Sequence, residues 1–228
     1  MEFINDFETN KNQFAKKIKE SSFLEGGKII EEKGVDDICE IIIGNNEIDY
    51  QSYERSQKSS FITQKKLEIA EKIVKNENYS KKFKVSMIQN GFQMKNVFSS
   101  VLYLNEYYKI NCIIYNEDRN EYYKTSLKDH DPLYCIYKNN SWFLSNEINV
   151  DLSKVTIDVN DLDTILTMDM KDIYIFQPFL KPLAKYKLSD LEGIAEEDGV
   201  SLVTESGKKK LKKQLYDDIN LKHYIQDI

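Results

Sequence analysis

"INCIIYNEDRNEYYKTSLKDHDPLYCIYKNNSWFLS", residues Ile110 to Ser145, decides the fold. Four short runs within it, "INCIIYN", "YYKTS", "LYCIYK" and "SWFLS", are rich in β-branched and aromatic side chains and are separated by turn-forming residues. Such runs suit a pleated, half-buried surface, and their close succession reads as an antiparallel meander. "KNNS" between the last two is a hairpin loop, because Asn tolerates the left-handed backbone that tight turns require.

Upstream the apolar period becomes helical. Met94, Val97, Val101, Leu104 and Tyr108 recur at helical spacing over a wide arc and lead directly into the first strand. Leu67, Ala70 and Val74 share a face of an earlier helix that starts behind Thr63, and Ser80 is placed to open a short helix reaching Ile88. Ile38, Ile41, Ile42 and Ile43 form a further short element that stops at Gly44-Asn45-Asn46, and the polar "EIDYQSYERSQKSS" after it reads as an exposed loop. Phe7, Phe14 and Ile18 suggest one more apolar stripe before Gly26-Gly27 interrupts it. Helices followed by a small sheet define an α+β body over residues 1–150, helical to about 108, with the antiparallel meander over 109–145.

Downstream, residues 151–182 are an acidic connector with a short helix from Asn160 and two prolines, Pro178 and Pro182. Residues 183–228 read as helix, extension, helix. Ser189 and Glu192 have capping-box spacing ahead of Leu191, Ile194 and Ala195, and Asp198-Gly199 ends that helix. "VSLV" is extended, Ser206 is placed to cap the second helix, and Leu211, Leu215 and Ile219 recur along it as a buried stripe.

Composition narrows the chemistry. The chain has 228 residues, 41% hydrophobic, with 15 Tyr and 11 Phe, which is enough to bury a core and unlike a disordered chain. Without a run of 18 apolar residues nothing spans a bilayer, and without a basic-then-apolar N-terminus no secretory signal is visible, so an intracellular protein is expected. Cys39, Cys112 and Cys135 are an odd number without CxxC spacing and sit among apolar neighbours, so neither a disulfide framework nor a structural zinc site is expected. Only two histidines, His130 and His223, are present, so no cofactor or metal is expected. The net charge is −6, and only two of the 32 basic residues are Arg. Arg supplies the planar fork that reads guanine and phosphate, so sequence-specific base readout is poorly provided for.

Most other constellations read as ordinary surface. Asp129, His130 and Asp131 cluster in a turn ended by Pro132. The adjacent pairs Glu31-Glu32, Asp36-Asp37 and Glu196-Glu197 point in different directions from a helix and are not acid/base dyads. Gly26-Gly27 lacks the Lys-Ser/Thr of a phosphate-binding loop. The tyrosines of "YLNEYYK" and "NEYYK" line a core and its rim more readily than they stack on bases.

The stretch "LAKYKLSDLEGIAEEDGVSLVTESGKKKLKKQLYDDI" resembles the SAP-like and Rho-N-like modules of nucleic-acid-associated proteins: a first helix of the form L-x-x-I-A, a Gly-bearing link, then a Lys-rich second helix with Leu and Ile every four residues. The module and the Lys/Asn/Ile-rich composition together are similar to proteins of large nucleocytoplasmic DNA viruses. The resemblance implies DNA or RNA binding through Lys208, Lys209, Lys210, Lys212 and Lys213. Lysines at a helix start oppose the helix dipole, which favours a bound anion there. Against it, residues 186–228 hold seven Lys and nine acidic residues, Glu196, Glu197 and Asp198 would repel a nucleic-acid backbone, and Lys213 is spaced to pair with Asp217. A fainter resemblance links residues 92–145 to the second half of papain-like or OTU-type cysteine peptidases. Those enzymes need a Cys at a helix start and a His on a late strand, whereas here the late position reads Ser141-Trp142 and Cys39 lies inside an apolar run.

The favoured reading is a non-enzymatic structural or scaffolding protein, viral in character, that acts through protein partners and not at a membrane. The alternatives are nucleic-acid association through the C-terminal lysines, and an inactive peptidase-like shell used as a binding surface.

Overall fold

The computed structural model describes residues 34–145, 159–168 and 175–226, and the expected stripe of Phe7, Phe14 and Ile18 lies outside them. The fold is α+β. Five helices precede the sheet: α1 (Ile38–Asn46), α2 (Arg55–Lys75), α3 (Glu77–Lys82), α4 (Val85–Phe92) and α5 (Phe98–Tyr108). Four strands follow, β1 (Ile110–Asn116), β2 (Glu121–Lys124), β3 (Asp131–Lys138) and β4 (Ser141–Ser145), and then α6 (Leu188–Glu197) and α7 (Lys212–Gln226).

The sheet is mixed, which corrects the expected meander. Its strand order is β2-β1-β3-β4, with β1 antiparallel to β2, parallel to β3, and β3 antiparallel to β4. The two hairpins are as the turn residues require. Asn120 closes the first with φ 55°, and Asn139 and Asn140 (φ 49° and 58°) give the second the paired left-handed residues of a type I′ turn. The departure lies in residues 125–130, which cross back so that β3 pairs with β1 instead of β2. Thr125 anchors that crossing: its hydroxyl donates to the Cys112 carbonyl at 2.7 Å and accepts from the Asn105 amide at 2.7 Å. Thr125, Ser126 and Lys128 are all buried there. A polar crossover carries no apolar signature, so strand propensity alone could not reveal it.

β1 becomes an inner strand, and Ile110 through Ile114 are buried in succession, the pattern of a strand covered on both faces. α5 packs against it with every residue from Phe98 to Asn105 buried, which accounts for its wide apolar arc. That helix starts later than expected: Val97 is its N-cap and Met94 stands in solvent on the preceding turn. At the β4 edge Val35 exchanges backbone hydrogen bonds with Trp142 (2.9 and 2.8 Å). A Cβ on the adjacent Gly34 would come within 2.5 Å of the Phe143 ring and 2.6 Å of the Ser141 Cβ, so only Gly admits this approach.

α2 is longer than expected and turned the other way. It begins at Arg55, not behind Thr63, and Ile48–Ser52 forms a 3-10 turn, so much of the expected loop is helical. Its buried face is Phe61, Ile62, Lys66, Ile69 and Ile73. Leu67 and Val74, expected inside, are 61% and 55% exposed. Ser80 lies within α3 and opens no helix; α4 starts at Val85. The short helix expected from Asn160 is a 3-10 helix, Val159–Thr164.

A second, smaller apolar cluster of Leu180, Leu191, Ala195, Leu215 and Ile219 holds α6 and α7 together. α6 is capped two residues earlier than Ser189 and Glu192 suggest, with the Asp190 carboxylate accepting from the Lys187 backbone N–H at 2.7 Å. It ends as expected at Gly199 (φ 67°), where the Gly199 and Val200 amides donate to the Glu196 and Ala195 carbonyls, the pattern of a Schellman cap.

Candidate functional site

The five lysines singled out by the sequence lie on two different elements. Lys208, Lys209 and Lys210 are not helical; they form the return arm of a small hairpin in which Val203 pairs with Lys209. Gly207, at φ 77°, makes the reversal, and the Lys210 and Thr204 amides donate to the Leu202 and Lys208 carbonyls. α7 begins only at Lys212, so Lys212 and Lys213 alone occupy its first turn. Ser206 does not cap it. Leu211 is the residue before the helix, and its backbone N–H donates to the Gln214 side chain at 2.8 Å. Being at that boundary, Leu211 is 71% exposed, whereas Leu215 and Ile219 are buried as the stripe requires.

The ion pairing also differs from the spacing. Lys210 meets Asp218 at 2.7 Å, in place of the expected Lys213–Asp217 pair. Among the described residues Lys208, Lys209, Lys212 and Lys213 have no carboxylate partner, and Lys208, Lys209 and Lys213 are exposed. The acidic end of α6 is held elsewhere. Asp198 pairs with His223 at 2.8 Å, and its carbonyl accepts from Lys222. Ten residues of helix separate Lys212 from Lys222, about 15 Å along the axis. Asp198 therefore sits at the opposite end of α7 from Lys212.

The same end of α7 meets the body. Lys128, from the buried crossover, places its ammonium 2.5 Å from Glu106 and 5.4 and 5.5 Å from the rings of Phe176 and Tyr224, a fully desolvated cation between a carboxylate and two aromatic faces. His223 stacks on Phe179 with ring centroids 3.4 Å apart.

The peptidase-like comparison needs one correction. Cys39 is in the first turn of a helix after all, the second residue of α1, with Asp37 as the N-cap accepting from its N–H at 3.2 Å. The Val35–Trp142 pairing also brings the segment before it beside the start of β4. The chemistry does not follow from this placement. Cys39 is wholly buried, and burial, reinforced by the Asp37 carboxylate, pushes its thiol well above the usual range. The residue that opens β4 is Ser141, not a His.

Sequence reasoning missed the polar junction beneath Cys39. Asp37 accepts from Lys66 at 2.5 Å and from the Asn96 backbone N–H at 3.1 Å, while the Asn96 side chain accepts from Ile38 N–H and donates to the Asp36 carbonyl. A lysine in the apolar register of a long helix was the available signal. Among the described residues no group of three or more His, Cys, Asp or Glu side chains is arranged to hold a metal ion, Asp129, His130 and Asp131 included, and no helix is long and apolar enough to cross a membrane.

No family model, no curated protein and no solved structure matches this chain.

Proposed function

We propose that the chain is a non-enzymatic structural or scaffolding protein that works through protein–protein contacts. One observation carries the reading: α2 holds Leu67 and Val74 in solvent, two turns apart on one face, although its opposite face is fully used by the core. Two apolar side chains held on one face of a regular element gain free energy when a partner covers them. Desolvation of the Cys39 thiol, which keeps it protonated, supports the non-enzymatic part. The test is to fractionate the native protein from its source and measure the mass of its assembly. Recovery in a particle or complex, weakened by Leu67→Glu with Val74→Glu, is expected; a lone monomer in every fraction would overturn the reading.

Nucleic-acid association through Lys208, Lys209, Lys210, Lys212 and Lys213 is the second reading. It is favoured by the four lysines without carboxylate partners among the described residues and by the position of Asp198 at the end of α7 remote from Lys212. Affinity for DNA and RNA at two salt concentrations, with and without alanine at the five lysines, tests it. No binding at low salt, or no loss in the variant, would reject it.

A further inference from the structure

The hairpin before α7 sorts its side chains onto two sides. Along the outgoing arm Val200 and Leu202 pack on the small C-terminal core, while Ser201 and Val203 face away from it. Along the return arm Lys210 points inward to Asp218, so alternation turns Lys209 and Leu211 outward. The Val203–Lys209 bridge lacks direct hydrogen bonds between the paired residues, the arrangement that brings opposed side chains closest. The outcome is a strip of Val203, Lys209 and Leu211, two exposed aliphatic side chains with an ammonium between them that meets no carboxylate among the described residues.

We infer that this strip is a docking site for a protein segment carrying an acidic side chain flanked by apolar ones. A carboxylate meets Lys209, and the flanking apolar groups cover Val203 and Leu211. Charge complementarity selects the acidic centre. The two aliphatic groups select protein over nucleic acid, because a sugar-phosphate backbone leaves them in water. Glu205, exposed at the hairpin tip, opposes any broad anionic surface such as a bilayer, while a narrow segment bypasses it. The inference rests on the protein-contact reading above and adds to the α2 face a second contact site with the chemistry of its partner.

The experiment selects a random peptide library displayed on phage against the folded full-length chain, then measures individual synthetic peptides by fluorescence anisotropy. Enriched peptides are expected to hold Asp or Glu between Leu, Ile, Val or Phe. Leu211→Ser and Lys209→Glu should each weaken them about tenfold, the loss of roughly one well-placed contact. Both positions are solvent-exposed, so circular dichroism should match the parent chain. Replacing the central acidic residue of the peptide by Lys should restore binding to the Lys209→Glu variant, which a merely structural role for Lys209 would not produce. Peptides that bind but ignore both variants overturn the strip and leave the protein-contact reading standing. Failure to enrich any peptide, with binding only to DNA, RNA or phosphatidylserine vesicles in parallel assays, overturns both.

Discussion

The Lys66 ammonium lies 2.5 Å from the Asp37 carboxylate, with both side chains almost fully out of solvent. The pair joins α1 to α2, and Asn96 closes the junction from the turn before α5. Removing one member of such a pair leaves the other as an uncompensated buried charge. Lys66→Ala is expected to destabilise the fold by about 3–5 kcal/mol, read from the urea midpoint at neutral pH. The double variant Lys66→Met with Asp37→Asn should recover much of that loss. Equal stability of the two variants would show that the pair does not carry the junction.

Lys128 ties the body to the end of α7 in a comparable way, through Glu106 on one side and Phe176 and Tyr224 on the other. Tyr224→Ala should cost about 0.5–2 kcal/mol locally and raise amide exchange in the last turns of α7 without changing exchange in β1. Lys128→Met should do more, because it also strands the half-buried Glu106 carboxylate. Unchanged exchange at the end of α7 in both variants would contradict the clamp.

Alkaline pH should weaken the fold before it affects most of its ion pairs. The Tyr108 and Tyr50 hydroxyls each lie 2.7 Å from a carboxylate, Glu47 and Glu40. Burial, and then those hydrogen bonds, push both phenols above their ordinary range. The folded state thus holds these protons more tightly than the unfolded chain, whose tyrosines ionise near about pH 10. Their contribution is fully present below that value and is lost as pH rises above it. Urea midpoints between pH 7 and 11 should fall at the upper end, and less steeply in Tyr108→Phe.

Thiol chemistry gives a further check. Cys39, Cys112 and Cys135 are free and buried, and the contact with Cys112, at 3.5 Å between sulfurs, together with burial raises the Cys135 thiol. A thiol-reactive probe at pH 8 should label none of the three in the folded protein and all of them in urea. Rapid labelling of Cys39 without unfolding would reinstate a nucleophile at the start of α1.

Much of the architecture was legible from local pattern. The helix that became α5 announced itself by a wide apolar arc, and Asn139-Asn140 specified their turn by a conformation few residues tolerate. Gly199 ended α6 for the same reason. The lysine cluster was legible as residues but not as a surface. Its division between a hairpin and a helix start, and the diversion of Lys210 to Asp218, depend on where one arm folds back on the other.

What the sequence by itself determined is therefore the α+β class, the positions of the strands and the two tight hairpins, since these follow from side-chain period and backbone sterics over a few residues. Tertiary structure alone decided that β3 lies parallel to β1, that Lys66 faces inward while Leu67 and Val74 face out, and that Asp198 meets the end of α7 remote from Lys212. Each of those outcomes turns on a long-range competition. The Asp37 carboxylate draws Lys66 into the core register of α2, a buried polar crossover redirects β3, and parts of the chain distant in sequence supply the partners. Local periodicity contains no term for partners that far away.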